Sequence, residues 1–133
     1  MGLFSFLKND GNKQFVSAPA FENQVAKQMQ MAPLTMKELR KINVNEDKEL
    51  KLEFFFYTNT AQKANVFAQE LEKLNYEVRS GQSAGDKKLF IVTGWTTKMK
   101  MEDVIVSNWA KTMCELGFSF DCEFDGWGTT PDQ

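Results

Sequence analysis

Three carboxylates near the end of the sequence, Asp121, Glu123 and Asp125, are the side chains whose spacing most clearly suggests a chemical role. Apolar residues alternate with them: Phe118, Phe120, Cys122 and Phe124. A period of two is typical of a β-strand with one buried face, so the three carboxylates are predicted to point together toward solvent. Residues 112–133 contain five acidic and no basic side chains. Such a surface attracts a basic protein partner; a solvated face that keeps the sheet edge soluble is the alternative interpretation.

The same carboxylates make a poor metal site. Same-face neighbours on a strand lie roughly 6.6–7 Å apart. A calcium ion needs oxygen ligands at about 2.3–2.6 Å, so one cation could bridge two of these groups at best. We therefore predict no metal and no cofactor.

A short turn follows the carboxylates, in which Gly126 and Gly128 flank Trp127 between Asp125 and Thr129. Glycine supplies backbone angles that other residues resist, so the chain can turn sharply and aim the indole. The tryptophan either plugs the edge of the sheet or anchors a partner, since tryptophan is enriched at interface hot spots. We predict that residues 125–129, with the carboxylates, form a partner-binding site.

Several classes of enzyme are disfavoured. The chain has no histidine, which is the commonest general base and zinc ligand. Cys114 and Cys122 are too far apart for a CxxC motif, and they suit free thiols in a reducing compartment, which predicts a cytoplasmic location. No nucleophile elbow, P-loop or dinucleotide fingerprint is present. We predict a protein that is not an enzyme.

Length and composition further limit the kinds of protein to which this chain could belong. A chain of 133 residues suits one domain, and its net charge of −2 disfavours a general nucleic-acid binder. No run approaches the roughly 20 apolar residues of a membrane-spanning helix.

The elements that would position these residues begin near Leu50. Hydrophobic periodicity predicts strand, helix, strand, strand, helix and strand in the order Leu50–Tyr57, Ala64–Leu74, Tyr76–Ser80, Lys87–Thr96, Met101–Leu116 and Phe118–Asp125. Gly117 stands where a glycine commonly ends a helix. This order is the α+β, ferredoxin-like arrangement: an antiparallel four-stranded sheet with two helices on one face.

An N-terminal extension, residues 1–48, precedes the domain at 49–133. Helical spacing predicts a helix over Ala20–Ala32 that Pro33 ends. Thr35 and Glu38 have capping-box spacing, which predicts a second short helix from Met36 to Ile42.

The segment Glu123–Thr129, at the end of a βαββαβ domain, resembles the RraB family (regulator of ribonuclease activity B). The resemblance covers roughly Leu50–Thr130. It implies a non-catalytic protein that binds an RNA-degrading endonuclease and modulates its activity. Phe124 stands where members commonly have tyrosine, and the long acidic tail of the founding members is missing from this sequence.

Two other functions stay open. An open sheet face with Phe55, Tyr57 and Phe90 could stack on the bases of single-stranded RNA, although the sequence lacks the RNP1 pattern and direct nucleic-acid binding is not expected. We expect the N-terminal segment, through Phe15, Phe21 or Leu39, to cover these aromatics. Alternatively, the N-terminal helices mediate self-association. The sequence does not identify the partner or the oligomeric state.

Overall fold

A computed structural model describes residues 13–133 of the chain, so the first twelve residues of the predicted extension lie outside the described part. The helices are α1 (Ala18–Lys41), α2 (Ala61–Glu72) and α3 (Asp103–Ser119). The strands are β1 (Glu49–Leu50), β2 (Glu53–Thr58), β3 (Glu77–Gln82), β4 (Phe90–Trp95), β5 (Met99–Lys100) and β6 (Glu123–Gly128).

The main sheet has four antiparallel strands in the order β3-β4-β2-β6. The first and third strands of the βαββαβ unit, β2 and β4, are therefore central, which confirms the predicted ferredoxin-like fold. Strands β1 and β5 form a separate two-stranded sheet that periodicity did not predict.

The main core lies between one face of this sheet and the two helices of the unit. Phe54 and Phe56 of β2 point to this face, and Phe56 packs edge-on against Phe67 of α2 with ring centroids 4.7 Å apart. Met113 of α3 and Phe124 of β6 join the same cluster and are almost fully buried. Each such side chain contributes about 1.5–3 kcal/mol on burial, which holds the helices against the sheet.

A second cluster lies where α1 meets α3 and the small sheet. Its residues are Met36, Leu39, Val44, Leu50, Leu52, Met101 and Val106. Trp109 and Trp127 pack against both clusters and so connect the two parts of the core.

The prediction of two N-terminal helices was wrong, because α1 continues through Pro33. A proline inside a helix costs about 3 kcal/mol. Ala32, Met36 and Leu39 are buried on both sides of it, and their burial offsets this cost. Ser17 caps the N-terminus of α1, because its hydroxyl accepts a hydrogen bond from the Ala20 amide at 3.2 Å. Because α1 is one helix from Ala18 to Lys41, Thr35 lies inside it and is not an N-cap residue.

The end of α3 also differs from the prediction. Gly117 lies inside this helix, which continues to Ser119, so the last strand starts at Glu123. A Cβ atom on Gly117 would meet the Cys122 carbonyl oxygen and the Phe56 ring, both at 2.7 Å. The glycine allows this close approach of the chain, and it does not end the helix. Phe118 and Phe120, predicted on the strand, belong to the helix end and the turn.

Candidate protein-interaction site

Asp121 lies in the turn before β6 with a φ of 58°, and its carboxylate is engaged inside the protein. It accepts hydrogen bonds from the amides of Phe15 at 2.7 Å and Val16 at 2.8 Å. It also pairs with the Lys63 ammonium at 2.6 Å, and both side chains are only 20% exposed. Lys63 in turn donates to the Lys13 carbonyl at 2.8 Å. Asp121 therefore anchors the N-terminal arm, residues 13–17.

The prediction that Asp121, Glu123 and Asp125 form one solvent-facing row was wrong, because the Asp121 carboxylate is bonded inside the protein. Asp121 precedes the strand and is paired internally. Glu123 lies opposite Tyr57 in the ladder between β2 and β6. The register shifts between Phe55 and Phe56, which leaves Asp125 as the extra residue of a β-bulge, exposed to solvent.

Trp127 lies opposite Phe54 and therefore faces the helices. Its ring meets the Trp109 ring edge-on, with centroids 6.2 Å apart, and the side chain is half-buried. Gly126 has a φ of 153°, which an L side chain rarely adopts. Thr129 fastens the end of the turn, because its hydroxyl donates to the Lys51 carbonyl at 2.7 Å.

The opposite face of the sheet carries a row of apolar side chains. Phe55 and Tyr57 of β2 lie opposite Thr93 and Ile91 of β4, and Trp95 completes the row beside Glu53. We call Phe55, Tyr57, Ile91 and Trp95 the open sheet face. Phe90, predicted on this face, is opposite Thr58 and packs against the main core, so that prediction was wrong.

No helix of the described chain lies over the open sheet face. Helices α2 and α3 pack on the other side, and α1 lies against α3 and β6. Phe21 stacks on Phe118 at 4.4 Å and Leu39 joins the second cluster, so the expectation that they cover these aromatics was wrong. Phe15 alone reaches the face, beside Tyr57.

Clefts mark both ends of the open sheet face. The cleft at Tyr57 has a volume of about 330 Å³ and is lined by Phe15, Leu89, Asp86, Glu123 and Asp125 among others. Burial, and then the nearby charge of Asp125, raises the pKa of Glu123, while Lys27 lowers it. The cleft at Trp95 has a volume of about 390 Å³ and is lined by Lys51, Lys98, Glu77, Thr130 and Gln133. One end is thus acidic, and the other carries charges of both signs.

The two glycines beside Trp127 face the open side. Gly126 lies opposite Phe55 and Gly128 opposite Glu53. A Cβ atom on Gly128 would meet no atom within 4 Å, so packing does not require glycine there. The missing side chain of Gly128 leaves room on this face beside Glu53, whereas a Cβ atom on Gly126 would lie 4.0 Å from the Gln28 Nε2 atom of α1.

The two thiols are unsuited to nucleophilic chemistry. Burial raises the pKa of Cys114 and of Cys122 from 9.0 to about 12. We expect a thiol reagent at pH 8 to label the native protein at least 100-fold more slowly than the urea-unfolded chain, because only the thiolate reacts. The stability that these protonated thiols contribute is complete below about pH 9 and is lost as the pH rises toward 12. Equal labelling rates for the native and unfolded protein would contradict this assignment.

Sequence reasoning missed Ile91, Trp95 and Lys63. The odd-numbered positions of KKLFIVTGWT were a usable signal, since Ile91, Thr93 and Trp95 alternate with Val92 and Gly94. Across residues 13–133, no three His, Cys, Asp or Glu side chains come together as a metal-binding group. In the same part of the chain, no helix is long and apolar enough to cross a membrane.

Comparison with known proteins gives one family. The model of the family described as RraB, regulator of ribonuclease activity B, matches residues 34–129, which is well over half of the chain. The match begins inside α1, upstream of Leu50. No curated protein matches the chain.

Proposed function

Because this chain belongs to the RraB family, we propose that it is a non-catalytic, cytoplasmic regulator that binds an RNA-degrading endonuclease and changes its activity. The family supports a role in regulating ribonuclease activity. The finer proposal is that the protein acts by docking on the nuclease through the open sheet face.

The observation that carries this proposal is the half-buried apolar row on the sheet. Phe55, Tyr57, Ile91 and Trp95 are adjacent on two central strands, and no described helix covers them. Aromatic side chains are enriched at protein interfaces, where they bury a large area at a small cost in conformational entropy. The strands hold them rigidly, so little further ordering is needed on binding.

The acidic end of the face suggests the chemistry of the partner. Glu123 and Asp125 line the cleft at Tyr57 together with Asp86. A basic segment of the nuclease would be steered toward this end. We therefore keep Glu123 and Asp125 as candidate contacts. We assign the turn at residues 126–129 a supporting role, in which Trp127 holds the strand and Gly128 leaves room on the open sheet face.

Truncating the aromatic row tests the proposal. We expect Tyr57→Ala and Trp95→Ala each to weaken binding to the endonuclease by about tenfold, because each removes a large apolar contact. Binding would be measured by calorimetry with the purified nuclease. Val104→Ala is the matched control, since Val104 is 61% exposed on α3, away from the sheet, and should change nothing.

A variant that obstructs the open sheet face complements the two truncated variants in the same assay. Gly128→Leu adds a side chain to the open sheet face without a clash inside the protein, so it should also weaken binding while leaving the melting temperature unchanged. Unchanged affinity in all three variants would place the interface elsewhere. If the protein instead shifts a single-stranded RNA in a gel, with an affinity that falls steeply with salt and is lost in Trp95→Ala, the aromatic row serves RNA.

A further inference from the structure

Strand β3 lies at one edge of the main sheet and leaves part of its backbone unpaired. The Ser83 amide donates to the Leu89 carbonyl at 2.9 Å, in the same register as the ladder between β3 and β4. Hydrogen-bonded pairs alternate in an antiparallel ladder, so the odd residues of β3 bond to β4. The amides and carbonyls of Val78, Ser80 and Gln82 therefore point outward.

The two edge strands of the main sheet, β6 and β3, differ in whether other parts of the protein bond to their outward backbone groups. At the β6 edge, α1 lies alongside, and the Gln24 side-chain amide donates to the Phe124 carbonyl. At the β3 edge, no residue from 13 to 133 donates to or accepts from the outward backbone groups. Five of the six residues of β3 are exposed. An exposed strand edge of this kind is a template for another strand.

We propose that two copies of this chain pair through their β3 strands, antiparallel, about a two-fold axis at Val78. This assembly goes beyond the proposed regulatory function and does not depend on it. The outward amide and carbonyl of Val78 would bond to those of Val78 in the second copy, which forms a hydrogen-bonded pair on the axis.

Charge selects this register. With Val78 on the axis, Glu77 lies opposite Arg79 of the second copy, and the contact is repeated by symmetry. With Arg79 on the axis, two arginines would lie opposite each other, which is unfavourable. With Ser80 on the axis, neither charge would meet its opposite. Within residues 13–133, Glu77 and Arg79 form no ion pair, so both are available.

The pairing would also enlarge the open sheet face. A two-fold axis normal to the sheet places the open faces of both copies on the same side of an eight-stranded sheet. Trp95 lies opposite Glu77 in the ladder between β3 and β4. Arg79 of the second copy would lie on the other side of Glu77, so Trp95, Glu77 and this Arg79 would form one row across the joined sheet. The cleft beside this edge, about 360 Å³ and lined by Glu77, Arg79 and Trp95, would continue across the axis.

A charge exchange tests the register. Sedimentation velocity of the full chain over a range of concentrations should show a monomer–dimer equilibrium. Glu77→Arg and Arg79→Glu should each raise the dimer dissociation constant by about tenfold, because two symmetric contacts become repulsive. The double variant Glu77→Arg/Arg79→Glu should restore dimerisation. Both side chains are exposed, so the variants should fold, which circular dichroism would verify.

A backbone variant tests the edge independently of charge. Ser80→Pro removes an outward amide and leaves the bonds to β4 in place, so it should abolish the dimer. A chain that stays monomeric at every concentration would overturn the proposal, as would a dimer that tolerates Ser80→Pro. If Ser80→Pro instead abolishes binding of the nuclease while the unmodified chain is monomeric, the edge takes a strand from the nuclease and the dimer is wrong.

Discussion

Replacing Gly94 with alanine is expected to lower the free energy of unfolding by about 3 kcal/mol, the largest stability effect that we predict for one methyl group in this protein. A Cβ atom built on Gly94 would overlap the Glu77 carbonyl oxygen and lie 3.0 Å from the Val78 Cα atom. These are backbone atoms, so no side-chain rotation can relieve the overlap, and β3 must move away from β4. Urea unfolding followed by circular dichroism would measure the loss.

Gly81 supplies a matched control for this substitution. It lies in the same pair of strands, opposite Ile91, but a Cβ atom there would meet nothing within 4 Å. Gly81→Ala should therefore change stability by less than about 0.5 kcal/mol, or raise it slightly by restricting the unfolded chain. Equal losses in the two variants would show that the close approach of β3 to Gly94 is not what limits the side chain.

Changing Asp121 to asparagine is expected to lower the free energy of unfolding by about 2 kcal/mol. The carboxylate holds two amides of the N-terminal arm and the partly buried Lys63 ammonium, and hydrogen bonds to charged groups are worth about 1.5–3 kcal/mol each. Asparagine has nearly the same shape and tolerates the φ of 58° at this position, so the variant removes charge without adding backbone strain. Part of the bonding to the arm survives, which limits the loss.

Asp125→Asn is the control for this experiment, because Asp125 is exposed and makes no hydrogen bond or ion pair within residues 13–133. It should change stability by less than about 0.5 kcal/mol. A double-mutant cycle with Lys63→Met isolates the ion pair, and a coupling energy near zero would mean that Asp121 acts through the amides alone. Amide exchange at Phe15 and Val16 should accelerate in Asp121→Asn, whether or not Lys63 is replaced.

The order of elements could be predicted from residue 50 onward because local patterns determine it. Phe54 and Phe56 alternate with half-buried neighbours, and Ala64, Phe67, Ala68 and Leu71 of α2 are buried at helical spacing. Local patterns do not predict that a helix continues through Pro33. Its local preference against a helix is overcome by packing of α1 on α3, and that packing joins residues more than sixty positions apart.

The candidate site was harder to predict, because it depends on register. In a strand, a slip of one residue moves every side chain to the other face. Phe90 looks like a partner for Phe55 in sequence, and only the pairing with Thr58 places it on the helix side. The extension of α3 to Ser119 likewise moved Asp121 out of the strand, where it binds an arm that no local pattern could connect to it.

The attachment of the N-terminal arm to Asp121 spans 106 residues of sequence, and it has a consequence for synthesis on the ribosome. The arm is synthesised before its anchor, which emerges only when the turn before β6 leaves the exit tunnel. Strand β6 also completes the sheet beside β2. Until β6 is available, apolar side chains in the earlier part of the nascent chain remain unburied. Closure of the domain is therefore a late event, and a chaperone that shields the growing chain would act before that point.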